Sequence, residues 1–293
     1  MTIYLLLLGL MVACFVLLVL VAKLPASLGL VVTAIVVALA AGAGFPLDKF
    51  VEGMFGYLDT GLVLIAAMIF IKAIQANGTL AALTRAVISG FGGSPLLLLV
   101  ALTLIIMFPG MITGSCTASV LGTGALVAPI LMQLGMPIAV AGAVVTAASV
   151  YGMIAPPVNI AVMIIGGGID LPYVGFDGIL AAITFPLAIL TTLAIGYRYV
   201  DRSKLAAVVA ENRKAPKEAA WTVYIPLLVV IALMVGPKTF PKWFPDLMLP
   251  LTFVIGTVLA CFVGKKFAPW KVVQDGGADI LIVGGSVWGG GGL

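Results

Sequence analysis

Two short clusters of small, hydroxyl-bearing and cyclic residues interrupt otherwise apolar segments of this chain. The first cluster, at 109–119, contains Thr113, Gly114, Ser115 and Thr117 between two long apolar runs. A turn at membrane depth must pair its backbone polar groups, and it persists where unwound backbone lines a cavity. Its carbonyl and hydroxyl oxygens are the ligands that sodium needs, so this cluster points to ion-binding chemistry.

The second cluster, at 152–159, reads Gly-Met-Ile-Ala-Pro-Pro-Val-Asn inside what would otherwise be one apolar helix. Pro156 and Pro157 lack an N–H, and Pro157 disfavours helical geometry at the residue before it. We predict that helix 138–169 is interrupted near 155–158, with Pro157 in the first turn of the next helix. Two neighbouring interruptions are typical of a secondary transporter's binding site, although Gly and Pro alone can merely kink a membrane helix.

Each interruption creates the N-terminus of a half-helix, where unpaired N–H groups and the positive dipole end attract an anion. We therefore predict a small organic carboxylate as the substrate, with Ser115, Thr117 and Asn159 as polar ligands. Each of these side chains has the alternative of a hydrogen bond within its own helix. The full predicted ion and substrate site is Thr113, Gly114, Ser115, Thr117, Gly152, Ala155, Pro156, Pro157 and Asn159. The sodium ligands predicted within it are Gly114, Ser115, Gly152 and Ala155, with a further carbonyl from Thr113.

The ionisable residues favour sodium over protons as the coupling ion. No Asp or Glu occurs between Asp59 and Asp170, and the chain has no histidine. Proton-coupled carriers generally need an intramembrane acid or histidine, whereas sodium needs only oxygens. The lack of histidine also removes most zinc sites and every Ser-His nucleophile, so we expect no enzyme and no cofactor other than the coupling ion.

Composition places the chain in a membrane. Hydrophobic residues make up 63% of the 293 residues, charged residues 9%, and the mean hydropathy is +1.28. Repeated apolar runs of this length predict an all-α polytopic membrane protein. The net charge of +4 is carried in loops, so it reports topology and does not indicate nucleic-acid binding.

Nine apolar segments are evident, and a tenth begins near Ile280. They are 3–22, 26–44, 60–76, 95–113, 115–135, 138–169, 176–198, 221–236 and 247–264. The less apolar stretch Thr79–Phe91 predicts a short interfacial helix. The Lys- and Arg-rich stretch 198–218 belongs in the cytoplasm, and counting back from it places the N-terminus outside and Lys72 near the cytoplasmic face.

Segment 95–135 either crosses the membrane twice or enters and returns, and loop charges do not distinguish the two. Its turn carries hydroxyls and no charge, which favours a re-entrant hairpin that opens to the cytoplasm, with its tip near Gly114 and Ser115. A short neutral periplasmic loop is the alternative.

A weak internal repeat relates the two ends of the chain. Leu24-Pro25 matches Leu249-Pro250, and Pro46 and Pro269 follow at similar separations. The topology gives these segments opposite directions, which predicts inverted repeats. Because the chain stops within the apolar run 280–293, we expect a truncated sequence with an incomplete second repeat.

The predicted division of the chain has four parts. They are N-terminal scaffold helices at 1–59, a first-repeat transport region at 60–198 with hairpin 95–135 and broken helix 138–169, a cytoplasmic loop at 199–220, and the start of the second repeat at 221–293.

The stretch 107–173 resembles the large membrane subunit of tripartite ATP-independent periplasmic (TRAP) transporters, within the ion transporter superfamily. The resemblance rests on Phe-Pro-Gly-Met-Ile-Thr-Gly-Ser at 108–115, on the double-proline segment at 152–159, and on Ile-Gly-Gly-Gly-Ile-Asp at 165–170. It implies an elevator-type, sodium-driven uptake system for organic acids in the bacterial cytoplasmic (inner) membrane. It also implies a small membrane subunit and a soluble periplasmic substrate-binding protein as partners.

Three other functions stay open on the sequence alone. The chain could be a carboxylate permease of the same superfamily that works without partners. It could be an intramembrane enzyme, although the lack of acids and histidine argues against this. It could also be a non-transporting scaffold subunit, against which the two interrupted segments argue.

Overall fold

A computed structural model describes residues 2–42, 44–45, 47–169, 171, 175–214, 221–239 and 247–278. Within these residues the chain is helical and contains no strand, so the predicted all-α class is confirmed. The helices are α1 Thr2–Val16, α2 Ala26–Ala40, α3 Leu47–Gly56, α4 Leu58–Ala76, α5 Thr79–Phe91, α6 Pro95–Thr113, α7 Cys116–Ser119, α8 Ala125–Gln133, α9 Ile138–Ile154, α10 Ile160–Gly168, α11 Phe176–Gly196, α12 Arg202–Lys214, α13 Ile225–Thr239 and α14 Leu249–Phe262.

Five of the described helical stretches are long and apolar enough to cross a membrane. They are Ile3–Val21, Leu58–Ala76, Pro95–Thr113, Cys116–Gln133 and Phe176–Tyr199. Shorter apolar helices accompany them, which together with the composition confirms a polytopic membrane protein. The predicted short helix between the third and fourth segments is present as α5, with the expected bounds.

Two apolar clusters hold the helices together. One joins α6 and α8 to α9, through side chains such as Leu102, Leu131 and Val144. The other joins α4 to α14 through Phe70 and Phe253, whose ring centroids lie 5.9 Å apart. The two interrupted segments lie where these clusters meet, so both clusters fix their geometry.

The predicted hairpin is a pair of adjacent helical limbs. The first limb is α6, and the second limb, 116–133, comprises α7, a π-helical turn at Val120–Gly124, and α8. The two limbs meet at a tip formed by residues 114–115. Pro95 begins the first limb, where the missing N–H of proline costs no helical hydrogen bond.

Helix α12 packs on the open end of this hairpin. Asp201 precedes it and accepts hydrogen bonds from the hydroxyl and the N–H of Ser203, which hold the pKa of that carboxyl below its usual value. The Asp201 N–H in turn donates to the Leu134 carbonyl at the end of the second limb. The start of the predicted cytoplasmic loop is therefore an ordered helix.

The predicted domain bounds, the inverted repeat and the re-entrant path of the hairpin stay predictions. Residues 279–293, which include the expected tenth apolar segment, lie outside the described residues.

Candidate functional site

The hairpin tip leaves helical geometry at two consecutive residues. Gly114 has φ +60°, a left-handed conformation that favours glycine, and Ser115 is extended. The Ser115 hydroxyl accepts a 3.4 Å hydrogen bond from the N–H of Ala118, which makes Ser115 the N-cap of the second limb. The Thr113 hydroxyl donates to the Pro109 carbonyl at 2.8 Å. Both side chains therefore form the local bonds that are the alternative to a ligand role.

The predicted interruption of helix 138–169 is confirmed. Helix α9 ends at Ile154, α10 begins at Ile160, and residues 155–159, the link, lie between them. Asn159 is 3% exposed and bridges the two half-helices. Its amide nitrogen donates to the Ile154 carbonyl at 2.9 Å, and its oxygen accepts from the Val162 N–H at 3.1 Å.

One local expectation about the link is wrong. Pro157 does not open the second half-helix, because Asn159 caps it and helical geometry starts at Ile160. Pro156 and Pro157 instead lie within the link and are joined by a cis peptide bond. The side-chain oxygen of asparagine pairs an otherwise orphaned N–H, and this sets the start of the helix later than proline alone suggests.

The hairpin and the broken helix are in direct contact at two places. The Val158 N–H of the link donates to the Met111 carbonyl of the first limb at 3.1 Å. A Cβ on Gly114 would lie 2.6 Å from the Ile160 side chain and 3.3 Å from the Ile160 nitrogen. The beginning of α10 therefore lies against the tip, and the two half-helix N-termini meet at one place.

Below the tip, glycines bring the first limb and α9 into backbone contact. A Cβ on Gly152 would lie 2.5 Å from the Met107 carbonyl oxygen, and one on Gly110 would lie 3.0 Å from the Gly152 carbonyl carbon. Both neighbours are backbone atoms that cannot rotate away. The absence of side chains at these two positions is what allows the limb and α9 to approach so closely.

Two hydroxyls that sequence reasoning missed support the first limb around Pro109. The Ser119 hydroxyl accepts from the Gly110 N–H at 2.7 Å, and the Thr123 hydroxyl donates to the Ile106 carbonyl at 3.3 Å. Proline in a membrane helix frees backbone groups, which neighbouring Ser and Thr side chains can satisfy. In the sequence, Pro109 inside an apolar run indicates that freed backbone groups need hydroxyl partners on an adjacent helix.

Replacing Ser119 with alanine should destabilise the protein, because the Gly110 N–H would lose a buried partner. The cost should be about 1–3 kcal/mol, the range for leaving a buried donor unsatisfied. Ser149 is the matched control: it is also fully buried, but its hydroxyl has no partner among the described residues. Thermal unfolding in detergent should show a lower midpoint for Ser119→Ala and no loss for Ser149→Ala. Equal midpoints would contradict the role of Ser119.

The structure brings some of the predicted site residues close to one another. Gly114 lies against Ile160, next to Asn159, whereas Gly152 lies further along the first limb, against Met107. Ser115 is only 5% exposed, but the side chain of Thr117 is exposed on the second limb. These contacts bring backbone groups of the hairpin and the broken helix close together. Asn159 is the polar side chain that joins the two halves of the broken helix.

One cationic side chain approaches this region from α4. Lys72 lines a cavity of about 10 Å³, together with Ala118 and Gly122 of the second limb. That volume is close to the space that one water molecule needs. The loop charges indicate only that Lys72 is near the cytoplasmic face, whereas the structure sets it beside the limb that starts at the tip.

Helix α10 is also anchored at a distance from the link. The Tyr57 hydroxyl, at the N-cap of α4, donates to the Ile164 carbonyl at 2.9 Å. Gly167 lies against the same ring, since a Cβ on this glycine would be 3.2 Å from the ring edge. The second half-helix is thus held at the link by Asn159 and further along by Tyr57.

The amino-acid sequence matches a family of known proteins. The family described as tripartite ATP-independent periplasmic transporter, DctM component, matches residues 11–269. The chain belongs to this family. This is a family of transporter components, which agrees with the sequence prediction of a transporter component and not an enzyme.

A curated relative supports the same assignment. It is the isethionate TRAP transporter permease protein DctMQ of Oleidesulfovibrio alaskensis (strain ATCC BAA-1058 / DSM 17464 / G20), which is 24% identical over 279 residues. The alignment covers 90% of this chain and 42% of the relative, so the chain spans less than half of that protein's length.

Proposed function

We propose that this DctM-family chain is the large membrane subunit of a sodium-coupled transporter that takes up a small organic acid anion. The observation that carries the proposal is the contact between the hairpin tip and the broken helix, where Gly114 lies against Ile160 at the start of α10. Two half-helix N-termini then face one region, and their N–H groups and dipoles favour a negatively charged ligand. The positive charge of Lys72 beside the second limb supports the same sign of substrate.

Sodium is the proposed coupling ion because, among the described residues, the region offers oxygens and no acid. Gly114, Ser115 and Ala155 all leave helical geometry, at the points where the hairpin and the broken helix are interrupted. Unwound carbonyls of this kind coordinate sodium in transporters with broken helices. The proposed sodium ligands remain Gly114, Ser115, Gly152 and Ala155.

Family membership supports the proposed substrate class and partners. The relative is named for isethionate, a small organic anion, which supports an organic acid as the substrate here. TRAP systems are tripartite, so we propose a small membrane subunit and a periplasmic substrate-binding protein as partners. The chain would lie in the bacterial inner membrane with its N-terminus in the periplasm, and transport would proceed by an elevator movement.

Uptake should therefore require sodium and should not respond to a pH gradient alone. The test uses the complete transporter, with both partner proteins, in proteoliposomes and a panel of radiolabelled organic anions that begins with isethionate. An inward sodium gradient should drive accumulation, whereas an inward proton gradient in choline buffer should not. Full uptake in sodium-free buffer would contradict the coupling, and undiminished uptake without the binding protein would favour the stand-alone permease.

A further inference from the structure

A cavity of about 250 Å³ lies between α5, α8 and α12, at the open end of the hairpin. One part of its lining is polar and includes Arg85, Gln133 and Glu211. Another part is apolar and includes Leu126 and Ile130. The side chains of Leu126, Gln133 and Glu211 are exposed, so the cavity opens along this edge.

The surrounding helices place the cavity at the border between membrane and water. Helix α12 exposes Arg202, Lys204 and Glu211, which are costly to bury in hydrocarbon. The second limb, by contrast, is apolar enough to lie in a membrane and ends at Gln133. A cavity with one wall from each helix suits the depth at which lipid headgroups lie.

The walls of the cavity are held in place by close contacts. The Asn212 amide nitrogen of α12 lies within hydrogen-bond distance of the Arg85 carbonyl and the Ser89 hydroxyl of α5, at 2.9 and 3.0 Å. Val209 lies directly against Gly92, where a Cβ would not fit. Because α12 cannot shift on α5 without breaking these contacts, the cavity is a formed feature and not a loose gap between helices.

The charges that line this cavity have opposite signs and do not pair with each other. Arg85 is half-buried, Glu211 is exposed, and among the described residues no ion pair joins them. We propose that the cavity binds the headgroup of phosphatidylethanolamine. The phosphate would lie at Arg85, the ammonium group at Glu211, and an acyl chain along Leu126 and Ile130.

This charge arrangement distinguishes among common phospholipids. Phosphatidylglycerol carries the phosphate but no ammonium group. Glu211 would then have no cationic partner and would face a lipid of net negative charge. Phosphatidylcholine is zwitterionic, but its quaternary ammonium has no N–H to donate to a carboxylate. Arginine suits phosphate because its guanidinium can donate two parallel hydrogen bonds.

Native mass spectrometry of the purified protein, titrated with the three lipids carrying identical acyl chains, tests the proposal. Phosphatidylethanolamine should bind at least about tenfold more tightly than phosphatidylcholine, as expected for one additional charge-assisted hydrogen bond. It should also bind more tightly than phosphatidylglycerol. Equal binding of all three lipids, or a preference for phosphatidylglycerol, would overturn the proposal, and this ranking needs no variant.

Charge-neutralising variants locate the binding site. Glu211→Gln should remove the preference for phosphatidylethanolamine over phosphatidylcholine, and Arg85→Gln should weaken the binding of both lipids. Lys204→Gln is the control, since Lys204 is an exposed charge of α12 that does not line the cavity. An unchanged preference in Glu211→Gln, or an equal loss in Lys204→Gln, would also overturn the proposal.

Discussion

Replacing Gly152 with alanine should strongly destabilise the protein and abolish uptake. The added Cβ would lie 2.5 Å from the Met107 carbonyl oxygen and 2.8 Å from the Met107 Cα. Both are backbone atoms of the first limb, so α9 and that limb would have to separate. Overpacking of this kind costs about 1–3 kcal/mol, and more where backbone must move. The separation would also pull the link away from the first limb, where Val158 is hydrogen-bonded to Met111.

The chain offers a matched control for this substitution. Gly142 lies on the same helix, and a Cβ there would meet nothing within 4 Å. Gly142→Ala should leave the unfolding midpoint unchanged or raise it slightly, since alanine favours helix over glycine by about 1 kcal/mol. The measurement is thermal unfolding in detergent, followed by uptake in proteoliposomes. Equal midpoints for the two variants would show that the close approach is not needed.

Replacing Asn159 with alanine should lower uptake by more than about tenfold, because two buried hydrogen bonds would be lost at about 1–3 kcal/mol for each unpaired group. The Ile154 carbonyl and the Val162 N–H would both lose their partner. The bridge between the two half-helices would then be gone, and the start of α10 would no longer be fixed against the tip.

A graded series separates the two functions of Asn159. Serine at this position keeps an oxygen that can cap α10 but cannot reach across the link as the amide does. Asn159→Ser should therefore transport better than Asn159→Ala and worse than the unmodified protein. Thr184→Ala is the control, because it removes a buried hydroxyl that bonds only within its own helix. Normal uptake by Asn159→Ala, or an equal loss in Thr184→Ala, would count against the bridge.

The two interruptions could be predicted from the sequence because their causes are local. Pro156 and Pro157 remove backbone donors, and a charge-free run of Gly, Ser and Thr suits a buried turn. The residue at which α10 starts was harder to predict, because Asn159 and Pro157 can both mark the start of a helix and the structure uses Asn159. Thr117 is exposed for a geometric reason: two residues along a helix turn the side chain through about 200°, so Thr117 does not point where Ser115 does.

Features that depend on contacts between helices could not be predicted from the sequence. Ser119 and Thr123 pair with backbone groups of a different limb, so only Pro109 inside an apolar run indicates them. The stretch at 198–218 indicates a charged loop, but its docking on α5 depends on Gly92 lying opposite Val209. The cavity beside Arg85 arises from that docking, and no local pattern encodes it.

The central claim is that sodium binds where the hairpin tip meets the broken helix, and a sodium titration of uptake tests it most directly. Ser115→Ala should raise the sodium concentration for half-maximal uptake roughly fivefold, as expected for losing about 1 kcal/mol from one oxygen ligand. Ser115→Thr, which keeps the hydroxyl, should remain close to the unmodified protein. Ser94→Ala, at the start of the same hairpin, should have no effect, because its hydroxyl caps nothing. An unchanged sodium requirement in Ser115→Ala, with normal folding, would contradict a sodium site at the tip.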